Sequence, residues 1–282
     1  MEKIVFLFAL LISFVSCKNP EKKEVEVVKP IVTLHLFDGG SVGANNLNLF
    51  AQGETYKGES KILADAFYVI KHEKGILIWD TGLPEGLVGQ DPYTTPDGAF
   101  TISRNDSIIN QLKTINLTPD DVGMIAFSHI HFDHTGAANH FAKATWLVQQ
   151  SELDFANSDA IKGNGFYAPD SFSELKNKKV LNGDYDVFGD ETVVIKSMPG
   201  HTAGHQVLLV NIGLNKPILL SGDMYHFEKN RTEAIVPQFN YDIQETSESI
   251  KVFEAFAKEK NATVIIQHSK EDFEKLQNIL KK

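Results

Sequence analysis

With a single cysteine, Cys17, in 282 residues, the chain downstream has no disulfide and no thiolate ligand. Any metal held there must be bound through nitrogen and oxygen. Long apolar runs are missing too: the stretch from Ile4 to Ile12 falls short of the roughly 20 residues that a membrane-spanning helix needs. Basic charge is scarce. Lys and Arg number 27 against 37 Asp and Glu, for a formal net charge of -10, and no Lys/Arg-dense stripe stands out. A phosphate backbone would be repelled, so no nucleic-acid partner is expected. Otherwise the composition is that of a folded protein, 42% hydrophobic and 23% charged, without low-complexity tracts or a fixed-period repeat. Its length accommodates one large α/β domain or two small ones.

Residues 1–17, "MEKIVFLFALLISFVSC", combine an early lysine, an apolar run and small residues before the cysteine, the pattern of an export signal. The closing "FVSC" resembles a bacterial lipoprotein signal, although Phe14 stands where such signals usually carry leucine. That resemblance implies export, with a membrane attachment only through a lipid on Cys17; plain secretion is the alternative. The expected location is the periplasm, the outer membrane or the medium. Residues 18–30, "KNPEKKEVEVVKP", are charged and aperiodic and read as a tether, leaving 31–282 as the folded domain.

Within that domain, "IVTLHLFD", "AFYVIKH", "GILIWDTG", "VGMIAF", "ATWLVQQ", "ETVVIKSM", "HQVLLVNI", "PILLSGD" and "ATVIIQHS" are rich in β-branched and apolar residues and read as strands. Helices are expected over "DSIINQLKTIN", with Asp106 as cap, over "ETSESIKVFEAFAKEK" and over "KEDFEKLQNILKK". Residues 83–105 carry Pro84, Pro92 and Pro96 among glycines and read as a long irregular excursion, a lid or a dimer contact. Strands and helices mix throughout, so the class is α/β or α+β with much antiparallel pairing.

The chemistry concentrates in "FSHIHFDHTG". His129, His131, Asp133 and His134 follow the pattern H-x-H-x-D-H at the end of an expected strand. On an extended segment side chains two apart point the same way, which would let His129, His131 and Asp133 converge, with a turn carrying His134 nearby. Imidazole nitrogen and carboxylate oxygen suit zinc, and also iron, manganese or cobalt. Three more candidates, His201 in "MPGHTAGH", Asp223 in "LLSGDMY" and His268 in "VIIQHS", also sit where an apolar run gives way to a loop.

Taken together, "HIHFDH", "PGHTAGH", "SGD" and the late strand-end histidine resemble the metallo-β-lactamase superfamily over about residues 31–282. The resemblance implies a four-layer αββα sandwich and two divalent metal ions per chain, zinc foremost. It implies that His129, His131 and His201 hold one ion, that Asp133, His134 and His268 hold the other, and that Asp223 bridges them. Within the superfamily, "SHIHFDHTG", "PGHTAGHQ" and "GDMY" followed by "PQFNYD" are most similar to the N-acyl homoserine lactonases. That likeness implies a small-molecule lactone substrate opened by attack of a metal-bridging hydroxide, and leaves a homodimer open. Many of those lactonases have a tyrosine three residues after the bridging aspartate; here the position is His226, with Tyr225 beside it. The expected catalytic residues are Asp133, which orients the nucleophile or passes its proton to the leaving alkoxide, Asp223, and His226 as a donor to the substrate carbonyl.

Other residues carry weaker readings. His205 reads as a packing residue or a support for a ligand, and Asp80 either orients a ligand histidine or caps a turn. His35, His72 and His140 read as structural, and Phe100, Met224 and Tyr225 line an acyl pocket or belong to the core. Rival functions are a glyoxalase II-like thioesterase, a broad esterase or an organophosphate hydrolase of the same fold, and a non-catalytic surface lipoprotein.

Overall fold

A computed structural model describes Met1 and residues 30–281 of the chain; the export signal and tether readings, residues 1–17 and 18–30, lie outside the described residues apart from Met1 and Pro30. No described helix is long and apolar enough to cross a membrane. Among the described residues, thirteen strands form two sheets. The first sheet takes β1 (Val32–Ala44), β2 (Lys61–His72), β3 (Gly75–Trp79), β4 (Tyr93–Thr94), β5 (Phe100–Ser103), β6 (Met124–Ala126), β7 (Thr145–Gln149) and β8 (Lys178–Leu181), in the order β4-β5-β1-β2-β3-β6-β7-β8. The second takes β9 (Tyr185–Asp186), β10 (Val193–Ser197), β11 (Gln206–Val210), β12 (Ile218–Leu220) and β13 (Thr263–Ile265), in the order β13-β12-β11-β10-β9. Pairing is antiparallel except where β3, β6, β7 and β8 run side by side and where β12 meets β13.

Alternation along the strands builds the layers. Ala66, Tyr68 and Ile70 of β2, with Leu77 and Trp79 of β3, face Ile195, Leu208, Val210 and Leu220 of the second sheet and make the core between the sheets. The opposite faces of the same strands, Phe67, Val69 and Ile78, pack on Ile108 and Leu112 of α1 (Ile108–Lys113). On the far side, Val207, Leu209 and Leu219 bury Ile250, Phe253 and Phe256 of α5 (Ile243–Glu259). The result is the expected αββα arrangement. Truncating a fully buried aromatic such as Phe253 to alanine would cost about 3–5 kcal/mol. Four further helices, α2 (Phe132–Thr135), α3 (Gln150–Ala156), α4 (Glu228–Thr232) and α6 (Lys270–Leu280), lie in the connections and at the C-terminus. Leu276 of α6 enters the core between the sheets, with Phe273, Ile279 and Leu280 half-buried around it, as the apolar spacing of that segment predicts.

Three local expectations need correction. Residues 83–105 are not wholly irregular: β4 and β5 form a hairpin, and β5 pairs with β1 over Ser41–Ala44, extending the first sheet. Prolines and glycines mask these short strands because edge strands tolerate them. The cap of α1 is Ser107, whose hydroxyl accepts from Asn110 N at 3.1 Å, while Asp106 accepts from Ser107 N at 2.8 Å one residue earlier. Finally, β6 ends at Ala126, so His129 and His131 stand in a loop and Asp133 on the first turn of α2, for which His131 is the N-cap residue. Their convergence comes from this loop-to-helix turn and not from strand alternation.

Candidate metal centre

The candidate ligands gather at one edge of the sandwich because β3, β6, β10, β12 and β13 all end there. Parallel strands place their carboxyl ends, and the loops that follow, on the same side. His129 to His134 follow β6, His201 lies between β10 and β11, Asp223 follows β12, and His268 precedes α6. Gly222 makes the turn into Asp223: its φ is 49, and a Cβ there would lie 2.6 Å from that of Ser128 and 2.7 Å from His205 Nε2.

Two groups of side chains result. In one, His129 Nε2 lies 2.8 Å from His131 Nδ1 and 3.2 Å from His201 Nε2, and the latter two are 3.2 Å apart. Asp223 Oδ2 completes this group at 3.4 Å from His201 and 3.8 Å from His129. In the other, His134 Nε2 lies 3.9 Å from Asp133 Oδ1, and His268 Nε2 lies 3.8 Å from Asp133 Oδ2. Asp223 Oδ1 reaches it as well, 3.1 Å from His268 and 3.5 Å from His134. All seven residues singled out as ligands in the sequence therefore come together, with Asp223 between the groups.

Partners outside the cluster decide which nitrogens face inward. His201 Nδ1 donates to Asn240 Oδ1 at 2.8 Å, and the amide is held that way round because its Nδ2 donates to Thr246 Oγ1 at 2.9 Å. His268 Nδ1 donates to the carbonyl of Ala64 at 2.8 Å, and His134 Nδ1 to Asp80 Oδ2 at 3.1 Å. The Nε2 atoms of all three are thereby left to point at the centre. His129, His131 and His201 are buried, which pulls each below the ordinary imidazole pKa, His131 to about 4, so they meet as neutral rings. His201 Nε2 has no proton to give, and neutral His129 and His131 can each place at most one on the facing nitrogen, so the three contacts cannot all be hydrogen bonds. Four tetrahedral ligands about 2.0–2.1 Å from zinc would have nitrogens about 3.3 Å apart, close to what the three rings show.

The second group carries charge. Burial also pulls His134 and His268 down, but the carboxylates outweigh it: Asp80, Asp223 and Asp133 hold His134 well above its usual value, and Asp223 and Asp133 raise His268 to about 9. Burial acts to raise Asp223, yet His268, His226, His134 and His129 hold it well below the usual carboxylate range. His134 Nε2 and Asp223 Oδ1 are buried without a hydrogen-bond partner. Such orphaned atoms, with an all-nitrogen-and-oxygen donor set, fit divalent ions.

Several weaker readings are resolved. Asp80 orients a ligand: it leaves β3 with a left-handed φ of 58 and binds His134 as well as Ser128 N, at 2.6 Å. His205 faces Asp223 from behind, its Nε2 accepting from Asp223 N at 3.0 Å while its Nδ1 donates to Met198 O at 3.1 Å. His226 faces the centre, with Nε2 3.0 Å from Asp223 Oδ2 and its ring stacked on that of His268, centroids 5.5 Å apart. Tyr225 points away, its hydroxyl donating to Glu254 at 2.9 Å, and lies with Met224 in the core under α5 rather than in a pocket. His35 and His140 stand outside the cluster, bonded to Thr33 and facing Glu85, while His72 pairs with Asp190 at 3.0 Å. Two buried acids near the ligands have no motif to announce them: Glu152, which burial raises to about 7, and Asp65, which burial and then Asp133 raise to about 8.

A narrow cavity of about 30 Å³ opens over the cluster, walled by Phe50, Phe100, Phe132, Phe166 and Phe239 with Asp133, His226 and His268 at its base. Phe100, Phe132 and Phe166 also border a larger cavity of about 500 Å³ under the β4–β5 hairpin. Phe100 is thus a pocket residue, as one of its two readings had it.

An αββα sandwich with a His/Asp cluster at one edge defines a metal-dependent hydrolase. The chain belongs to the metallo-beta-lactamase superfamily, whose family model matches residues 65–268. Among its relatives is the N-acyl homoserine lactonase AttM of Rhizobium radiobacter, 32% identical over 212 residues, covering 72% of this chain and 80% of AttM. The N-acyl homoserine lactonase AiiA of Bacillus thuringiensis subsp. kurstaki is 29% identical over 206 residues, covering 71% and 79%. A solved N-acyl homoserine lactone hydrolase, with the product N-hexanoyl-L-homoserine at its catalytic metal center, superposes with a TM-score of 0.76 at 25% identity, covering 88% of this chain and 97% of that one.

Proposed function

We propose that this hydrolase opens the lactone ring of N-acyl homoserine lactones with two divalent ions, zinc by preference, held by His129, His131 and His201 on one side and by Asp133, His134 and His268 on the other. The observation that carries the reading is the buried His/Asp cluster at the base of an aromatic pocket that shares Phe100, Phe132 and Phe166 with a second, larger cavity. Relatives named as lactonases support the choice of substrate. When bound, such ions acidify water to hydroxide near neutral pH and polarise a carbonyl.

The chain's own groups do the rest. Asp223 offers one oxygen to each half of the cluster and so fixes their separation. Asp133, whose side chain is 14% exposed where the ligand imidazoles are almost fully buried, faces the pocket, takes the proton released by the attacking water and passes it to the leaving alkoxide. His226 replaces the hydroxyl donor of the lactonases that this chain resembles and aims Nε2 at the carbonyl oxygen. Phe50 and Phe239 pack edge-on against its ring, with centroids 4.7 and 5.7 Å away, and limit its rotation. The phenylalanines shared by the two cavities keep water from the acyl chain while the lactone ring sits over the cluster. The protein is exported, on the strength of residues 1–17, and meets a diffusible substrate outside the cytoplasm.

The test is hydrolysis of N-acyl homoserine lactones of graded chain length by the purified protein, with metal content measured on the same sample. Ring opening with close to two ions per chain is expected. Retained ions with turnover of thioesters or phosphotriesters, and none of the lactones, would overturn the substrate while leaving the family intact.

A further inference from the structure

His129, His131 and His201 must meet within little more than 3 Å, yet they are carried by two loops that leave different sheets, residues 127–131 after β6 and 198–205 between β10 and β11. We propose that Glu152, on α3 outside the pocket, is a positioning residue that clamps these two loops together and so sets the spacing of the three histidines. The inference rests on the metal-centre reading above.

Glu152 is 3% exposed, and its side-chain hydrogen bonds all go to these loops. Oε1 accepts from Ile130 N at 2.9 Å and from Thr202 Oγ1 at 2.8 Å, and Oε2 accepts from Gly204 N at 2.6 Å. Each contact lies beside a functional residue. Ile130 separates His129 from His131, Thr202 follows His201, and Gly204 precedes His205, which receives the amide of Asp223. The ionised side chain suits the task because it accepts on both oxygens and has nothing to donate, while both loops present donors.

The fit against α3 is close on the loop side as well. A Cβ on Gly204 would lie 2.5 Å from both Cβ and N of Glu152, so the loop rests directly on the helix. Gln206 also joins the loops, its N donating to Ser128 O at 2.8 Å and its Nε2 to Phe127 O at 2.9 Å. Those bonds secure the loops where they leave the sheets. Glu152 acts beyond them, between the ligands, so its loss frees the ligand-bearing tips while the bases stay joined.

The experiment is equilibrium titration of the metal-free full-length protein with zinc against a chromophoric chelator, alongside thermal melting of the same metal-free samples. His201→Ala and His268→Ala, each removing a ligand from one half, identify which binding step belongs to which half. Glu152→Gln keeps the size but turns an amide N–H toward one of the donors. It is expected to weaken the three-histidine step by about 10–100-fold and the other step by less than about threefold. Gly204→Ala, which wedges the loop off α3 with the carboxylate intact, should do the same; Thr202→Val, which removes a single hydrogen bond, should give about a threefold effect in the same step. Unchanged binding in Glu152→Gln, or equal weakening of both steps together with a lowered melting temperature, would reduce Glu152 to a general structural residue and overturn the inference. Should Glu152→Gln fail to fold, Thr202→Val decides by the same criterion. A wild-type protein that takes up no zinc would bring down the metal-centre reading itself, an outcome distinct from the failure of Glu152 alone.

Discussion

Burial pulls His129, His131 and His201 below the ordinary imidazole pKa, whereas Asp223, Asp133 and Asp80 raise His134 and His268, a few ångströms away, above it. Both halves are buried, and burial alone disfavours the charged imidazole in each. The difference lies in the carboxylates. One half has an oxygen of Asp223 at its border and feels Asp133 through His131, while the other is built around both aspartates and backed by a third. A ligating imidazole has to be neutral, so under the proposed two-ion reading the three-histidine half would take an ion without losing protons, whereas binding in the mixed half would displace them.

Asp223 belongs to both halves, and its replacement should have the largest effect. Asp223→Asn is expected to lower metal content in both halves and to reduce turnover by more than the roughly 100-fold that follows loss of an outer partner; metal analysis with a lactone assay checks it. If only one half lost its ion, the shared role would be broken. His226 comes next: His226→Phe should keep both ions and lower kcat by about 100-fold, the loss expected of one donor to a developing oxyanion. Retained kcat would make the histidine a packing residue.

Asp80 separates the halves. Asp80→Asn should weaken zinc binding in the mixed half by about 10–100-fold, through misorientation of His134, and leave the three-histidine half within about threefold. A pH series sharpens the same contrast without mutation. With His134 raised and His268 raised to about 9, zinc affinity in the mixed half should rise with pH up to about pH 9, by about tenfold per pH unit for each of the two imidazoles that loses a proton. With His131 at about 4, the other half should show no such slope above about pH 5.

The smallest effect concerns the metal-free protein, where the sign reverses. A histidine whose folded pKa is raised contributes stability that is fully present below its unfolded value of about 6.5 and is lost as pH rises through the folded one. The melting temperature of the metal-free protein should therefore fall between about pH 6.5 and 9, and His268→Gln should flatten that fall.

Much of the fold was legible because its layers are written as local periodicity. The unbroken apolar run in "AFYVIKH" and the spacing of Phe273, Leu276 and Ile279 each predict burial that the tertiary structure uses, on both faces of the strand and on one face of the helix. The short strands β4, β5, β8 and β9 were not legible, because, unlike the equally short β6, β12 and β13, they lie in no continuous apolar run and owe their conformation to the neighbour they pair with. The ligand loop was half legible. Its residues were identified, but α2 begins within the motif, and "FDHT" has no apolar period to show a four-residue helix.

The sequence by itself determined the chemistry: nitrogen and oxygen donors without sulfur, in an H-x-H-x-D-H cluster with three later strand-end ligands. The question raised by His226 and Tyr225 was visible there too, since both side chains suit a donor. Only the tertiary structure decided between them, because the extended backbone at Tyr225 turns one residue toward Glu254 and the next toward Asp223. It also decided what each ligand is. Asp80, Asn240, Ala64 and Glu152 orient their histidines or loops from tens to hundreds of residues away along the chain. Whether a buried imidazole carries a proton depends on the charges that surround it in space, and no local spacing records those.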